Sequence, residues 1–359
     1  MKNTRAPSDN EVVKQYAKYK RRKVRIGIFL IAGLFVLTAV ALYSGAMRLS
    51  VGQIIEAFLR HGDKMHEVIV WNIRFPRIWA AIIAGMSLSL AGCVMQCVLR
   101  NPLASPFTMG VSQSAGFGAA FAIIVLSSHN PQCNILSFLL NNPYVVVLSA
   151  FIASLTYISI ILLLVRFTGL SPEAMVLAGV AMGTLFSAGT TLLQYFAEDV
   201  KVASVIFWTF GDMGRAGKAD VFIMFITLFS AIVYFMGNRW EYNALEGGEE
   251  TAKALGVNTG RLRVISVLIA SLITAVCVSF VGIIGFIGLI APHMTRRIIG
   301  GDHRYLIPIS AIFGGALLLV ADTVSRMILS PVILPVGILT SFMGAPLFIY
   351  LIWKKRKLY

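Results

Sequence analysis

Apolar residues run along this chain in long windows, separated by short clusters of charge, glycine and proline. The windows do not alternate with the period of a half-buried strand, and they carry no broad polar face at the helical period. A bilayer core of roughly 30 Å takes about 20 apolar residues per helix. Ten windows approach that length: 27–46, 74–97, 107–127, 143–165, 174–196, 219–237, 262–281, 283–298, 305–325 and 335–353. Glycine or other small residues interrupt the third, fifth and eighth, which are expected to be broken or tilted. In lipid, only helices and closed barrels satisfy every backbone polar group, and continuous apolar runs are not barrel strands. The pattern therefore predicts an all-α, polytopic membrane protein with about ten transmembrane helices.

Composition narrows this further. Of 359 residues, 57% are hydrophobic and only 13% charged, which leaves no room for a second soluble domain. Residues 1–25 form a basic tail and 26–359 a single transmembrane domain. The tail, with Lys14, Lys18, Lys20, Arg21, Arg22, Lys23 and Arg25, precedes an apolar run without a small-residue cleavage site, so it reads as a retained first span. Excess Lys and Arg mark cytoplasmic loops, and the basic tail and basic C-terminus together place both termini in the cytoplasm. The +15 net charge lies at helix ends rather than on one folded patch, which argues against nucleic acid as a partner. Cys93 and Cys97 share a helix face with no His or acid near them in sequence. Packing is the expected role, and no metal site is predicted.

On this topology Arg74, Arg77 and Arg326 stand at the mouths of spanning helices on the outer side, against the insertion bias. A docking surface for an acidic partner is the simplest use for them. The longest cytoplasmic connection runs from Gly237 to Arg263. Within it, 248–256 reads as a short helix: Glu249 and Glu250 suit its positive N-terminal end, Ala252, Ala254 and Leu255 favour helix, and Gly256 can end it at positive φ. Asn243 with Glu246 three residues on offers an alternative start. Two prolines in Arg100-Asn-Pro-Leu-Ala-Ser-Pro106 must break a helix. Polar Gln96, Asn101, Ser112, Gln113 and Ser114 around that break point to a hydrated pathway, because unpaired polar groups in lipid are costly. His293 reads as a helix-end residue and His303 as a loop residue.

Enzyme signatures are lacking. Gly211-Asp-Met-Gly-Arg-Ala-Gly217-Lys218 resembles a phosphate loop, but it has the wrong spacing and Ala219 where Ser or Thr should bind magnesium. An ion-driven carrier usually needs a carboxylate buried in mid-span; here the acids lie near helix ends, Asp322 being the nearest exception.

Val70-Trp-Asn-Ile-Arg-Phe-Pro-Arg77, Arg100-Asn-Pro-Leu-Ala104, Gly285-Phe-Ile-Gly-Leu-Ile-Ala-Pro-His293, Gly301-Asp-His303, Leu334-Pro-Val-Gly337 and Gly344-Ala-Pro346 follow one another in the order of a known family. Together they resemble the FecCD-type permeases of binding-protein-dependent ABC importers, which carry iron–siderophores, haem and cobalamin. The likeness runs from about residue 50 to the C-terminus.

The resemblance implies a non-catalytic, ten-helix permease subunit in the cytoplasmic (inner) membrane of a bacterium or archaeon. It pairs as a homodimer or close heterodimer around a shared pathway. It works with two cytoplasmic ATPase subunits and one extracytoplasmic substrate-binding protein. The chain itself binds no cofactor; ATP and magnesium belong to the ATPase. By the same resemblance, Arg74, Arg77 and Arg326 receive glutamates of the binding protein. The segment carrying Glu246, Gly248, Glu249, Glu250, Ala254, Leu255 and Gly256 is the coupling helix. Leu170, Ser171 and Pro172 align with a cytoplasmic gate, where Pro172 and Glu173 depart from the small hydroxyl residues of the cobalamin member. A ferric siderophore is the expected cargo, with haem or cobalamin as alternatives. An ion-coupled carrier and a membrane-embedded enzyme are the competing readings.

Overall fold

The computed structural model describes residues 9–45, 47, 49–126, 142, 144–167, 171–330 and 332–355. Every regular element among them is helical. In chain order these are α1 (Asp9–Tyr43), α2 (Val51–Phe58), α3 (Lys64–Val98), α4 (Val111–Ile124), α5 (Tyr144–Phe167), α6 (Pro172–Tyr195) and α7 (Asp199–Thr209). There follow α8 (Lys218–Gly237), α9 (Arg239–Glu246), α10 (Glu249–Ala254), α11 (Thr259–Val281), α12 (Ile287–Ile299), α13 (His303–Met327) and α14 (Val336–Lys355). Seven of them, α1, α3, α5, α6, α8, α11 and α13, are long and apolar enough to cross a membrane by themselves.

α3 is the hub. In its most apolar stretch 89% of residues are buried, against 11% in α1 and in α6, so the outer helices leave apolar faces for lipid or another chain. Membrane helices gain little from apolar burial between them and depend on close backbone approach, which glycine permits. A Cβ on Gly92 would sit 1.7 Å from the Gly288 carbonyl oxygen of α12, and one on Gly85 2.4 Å from that of Gly314 in α13.

Two breaks divide the bundle. Residues 99–110 leave α3 and turn back among the helices: Ser105 approaches Gly288, and Gly110, at φ +95°, lies against Tyr157 of α5 and Gly183 of α6. α4 therefore starts deep in the bundle, between mid-span residues of two neighbours. Residues 282–286 separate α11 from the short α12, with Gly282 at φ +80° and Phe286 at φ +67°. The third and eighth windows are thus shortened at their starts, their helices beginning only at Val111 and Ile287. The fifth is not: α6 runs unbroken from Pro172 to Tyr195, because Gly179 and Gly183 serve as contact points for Met109 and Gly110 rather than as kinks. α2 and α7 lie outside the ten windows; Ser50 and Gln53 close a capping box on α2.

α1 and α13 run side by side and define two ends. At one, Lys23 of α1 lies 4.0 Å from Asp302, the N-cap of α13. At the other, Arg326 of α13 donates to the Ser44 carbonyl just beyond α1, at 2.7 Å. At about 1.5 Å per residue the ends are roughly 35 Å apart, close to a bilayer's thickness. α9 and α10 belong to the Lys23–Asp302 end, since Asn243 of α9 donates to Asp302.

Candidate functional site

The far end gathers Arg74, Arg77 and Arg326, as the sequence led us to expect, but not on the surface. Each is buried, at 5%, 7% and 8% exposure. A guanidinium removed from water needs partners, and each has them. Arg74 donates to the carbonyls of Leu42 and Met47, fixing the turn after α1. Arg77 donates from Nε to Asp322 Oδ1 at 2.9 Å, and its Nη2 lies 3.1 Å from Asp212 Oδ1 without hydrogen-bond alignment. Arg326 donates from Nε to Asp322 Oδ2 at 3.1 Å. Arg77 and Arg326 share Asp322, with Asp212 beside Arg77, while Arg74 is held by carbonyls alone, so these three guanidiniums outnumber the two carboxylates by one charge. The sequence placed them at helix mouths but gave no measure of their burial: packing between α1, α3 and α13 encloses them. Exposed cations at this end include Lys218, which reaches Asn72 Oδ1 at 2.7 Å.

The opposite end carries α10. Gly248, at φ +115°, starts the helix and Gly256, at φ +84°, follows its end. Glu246 is not part of it but the last residue of α9. Asn243 does not cap a helix: inside α9, its Oδ1 accepts from the His303 backbone at 2.8 Å. Buried Arg263 tethers α10, donating to Glu249 Oε2 at 3.0 Å and to the Val98 carbonyl at the end of α3, also at 3.0 Å. Partial burial favours the neutral Glu249 carboxyl, but Arg263 and Thr259 outweigh it and hold that carboxyl below its usual range. Partial burial likewise opposes ionisation of Asp302, yet bonds from Arg304 and Asn243 bring it down to about 2. Glu250, Ala254, Leu255 and Gly256 face outward; Leu255 is 68% exposed, an apolar knob on a polar surface.

The polar residues assigned to a pathway take different local roles. Buried Gln96 donates to the Leu289 carbonyl at 3.3 Å, and Asn101 Oδ1 accepts from Leu103 N at 2.9 Å, which stabilises the turn after α3. Ser112 is buried, and Gln113 Oε1 has no partner among the described residues. Ser171 caps α6, accepting from Ala174 N at 3.1 Å with Pro172 at the first helical position. Leu170 lies outside the described residues. A different feature joins the two breaks. A mostly apolar groove of about 590 Å³ runs between Phe107, Phe210, Ile283, Gly285, Ile338 and Phe342. Sequence reading missed it because its walls come from four separate segments.

The end that carries α10 also holds a juxtaposition with no local signal in the chain. His303 is not in a loop but is the fully buried first residue of α13, and it faces Cys97 of α3 and Glu246 of α9.

Compared with known proteins, residues 33–354 match the model of the FecCD transport family. A protein of Methanocaldococcus jannaschii named "Putative ABC transporter permease protein" is 54% identical, covering 97% of this chain and 99% of its own length. The Fe(3+)-citrate import system permease protein of Bacillus subtilis is 34% identical, with 95% and 98% covered. The hemin transport system permease protein of Yersinia pestis is also 34% identical, with 80% and 84% covered. Among solved structures, "An inward-facing conformation of a putative metal-chelate type ABC transporter" superposes with a TM-score of 0.80 at 30% identity, covering 92% of this chain and 99% of that one.

Proposed function

Because the chain belongs to the FecCD transport family, we propose that it is the permease of an importer for a ferric chelate, most simply a ferric siderophore, driven by a separate ATPase. The observation that carries this reading is the exposed helix α10, held by the buried Arg263–Glu249 pair at the end opposite the arginine cluster. A short helix fixed at its base and bare at its tip suits insertion into a partner's cleft, and Leu255 is its anchor. At the other end, the extra positive charge around Arg74, Arg77 and Arg326 attracts glutamates of the loaded binding protein. Such charge sets encounter and register more than affinity. Enclosed as they are, these arginines act largely by holding the turn after α1 and the Asp212 loop in the docking shape.

Two copies of this chain, or this chain and a close relative, bring their grooves together so that the walls at Phe107, Phe210 and Phe342 enclose a wide passage. Mostly apolar walls hold a bulky chelate weakly, and weak holding permits release. ATP binding closes the ATPase pair, α10 follows, and its tether carries the movement to α3 and α11. The relative named for Fe(3+)-citrate import supports an iron chelate as cargo, and the relative named for hemin keeps haem as the second candidate.

The test is reconstitution in vesicles with the cognate ATPase and binding protein. Uptake of labelled ferric siderophore is expected to require ATP and both partners, and to survive a proton uncoupler. Uptake by the chain alone along an ion gradient would overturn the reading in favour of a secondary carrier.

A further inference from the structure

We propose that Cys97, Glu246 and His303 form a binding site for a single divalent transition-metal ion, with zinc or ferrous iron the best match to the donor set. Each residue offers one donor atom, and the three atoms lie within 4.8 Å of one another. An ion bound through bonds of about 2.0–2.3 Å holds its ligands roughly 3.3–3.8 Å apart. The donors are therefore about an ångström from coordination, within the reach of side-chain torsions.

The histidine carries the argument. His303 is fully buried, yet its Nε2 has no hydrogen-bond partner among the described residues. Its Nδ1 lies 3.1 Å from Asn243 Oδ1, an oxygen that can only accept, so Nδ1 carries the proton. Nε2 then holds a bare lone pair and is the nitrogen His303 has to offer a metal. An orphaned buried nitrogen calls for an explanation, and a histidine oriented by a hydrogen bond from its other nitrogen is the usual arrangement at a metal. Asn243 is itself held, donating to Asp302 Oδ1 at 3.2 Å. The orienting shell is thus in place without the ion.

The other two donors complete the set. Cys97 is 4% exposed and makes a long 3.5 Å contact with the Tyr242 carbonyl, a weak bond to give up when the thiol loses its proton to a metal. Glu246 binds Arg296 through Oε1, which leaves Oε2 for an ion. Its side chain is 41% exposed and provides the entry route from solvent. Sulfur, imidazole and carboxylate together favour zinc or ferrous iron over magnesium or calcium, which take oxygen. Three ligands leave the fourth tetrahedral position to water. The donors come from the end of α3, the end of α9 and the start of α13, so a bound ion fastens the segment leading into α10 to the central helices. That consequence rests on the role proposed for α10; the site itself does not.

The test uses the purified full chain in detergent, metal-stripped and titrated with Co²⁺ as a spectroscopic stand-in for zinc. One equivalent is expected to give thiolate-to-cobalt charge-transfer absorption, displaced by Zn²⁺, together with a rise in thermal unfolding temperature. Cys97→Ser removes the charge-transfer band, whereas Cys93→Ser, one helical turn away, leaves it. Asn243→Ala weakens binding about 10–100-fold while keeping the band. If His303→Ala fails to fold, Glu246→Gln at the exposed ligand gives the same reading through weakened affinity. Absence of the band in wild-type protein, or its survival in Cys97→Ser, would overturn the site.

Discussion

Arg77 and Asp322, 245 residues apart, meet at 2.9 Å in the interior of the far end, and Arg326 occupies the other carboxylate oxygen. Asp322 is wholly buried. Removing one partner of such a group strands buried charge, which costs about 3–5 kcal/mol. Asp322→Ala is therefore expected to lower the unfolding temperature in detergent sharply and to reduce the yield of folded protein. Arg77→Lys, which keeps the charge but loses the fork geometry, falls between it and wild type. Unchanged unfolding in Asp322→Ala would show that the pair does not hold α3 to α13.

Gly92 makes a second, uncharged prediction. The Gly288 carbonyl leaves no space for a methyl group at this position, and both atoms belong to backbone. Overpacking typically costs 1–3 kcal/mol. Gly92→Ala should reach at least the upper part of that range, while Gly33→Ala, where a Cβ meets nothing within 4 Å, should be neutral. Thermal unfolding of the two variants side by side is the check.

The tether of α10 is pH-dependent. The Glu249 carboxyl sits below its usual range in the fold, so its contribution is complete above the ordinary glutamate pKa and is lost as pH falls through the lowered value. Amide hydrogen exchange in 249–254, corrected for intrinsic rates, should accelerate on acidification in wild type. In Glu249→Gln it should be faster at neutral pH and flatter across the range. Identical pH profiles would exclude the tether.

Leu255→Asp separates partner binding from folding. Surface substitutions usually change stability by no more than about 0.5 kcal/mol, and Leu255 is exposed, so unfolding should stay where it is. Loss of a central apolar anchor costs about 2 kcal/mol or more of association. Co-purification of the ATPase subunit should fall by tenfold or more, and unchanged recovery would remove α10 from the interface.

Much of this was legible in the chain. Long apolar windows placed the spans, and Pro102, Pro106 and the glycines from 282 to 288 placed two breaks. Local pattern ran out wherever contact depends on partners distant in sequence. Nothing near Arg77 in sequence reveals that it is buried against Asp322, so only its place at a helix mouth was legible. Gly179 and Gly183 read as kinks because their neighbours, Met109 and Gly110, lie on another segment. Likewise Cys97 had no ligand near it in sequence, and His303 passed for a loop residue, until α3, α9 and α13 converged. The short helix α10 was readable because helix preference, charge at its start and Gly256 at its end are all local.

Two opposite working faces are the central claim, and single-cysteine labelling in intact cells tests it most directly. Lys218→Cys and Leu255→Cys, each in a Cys133→Ser background with the three remaining cysteines buried, mark the two ends. With a membrane-impermeant maleimide, Lys218→Cys should label in intact cells and Leu255→Cys only after permeabilisation. Labelling of both from the same side, or the reverse order, would contradict the account.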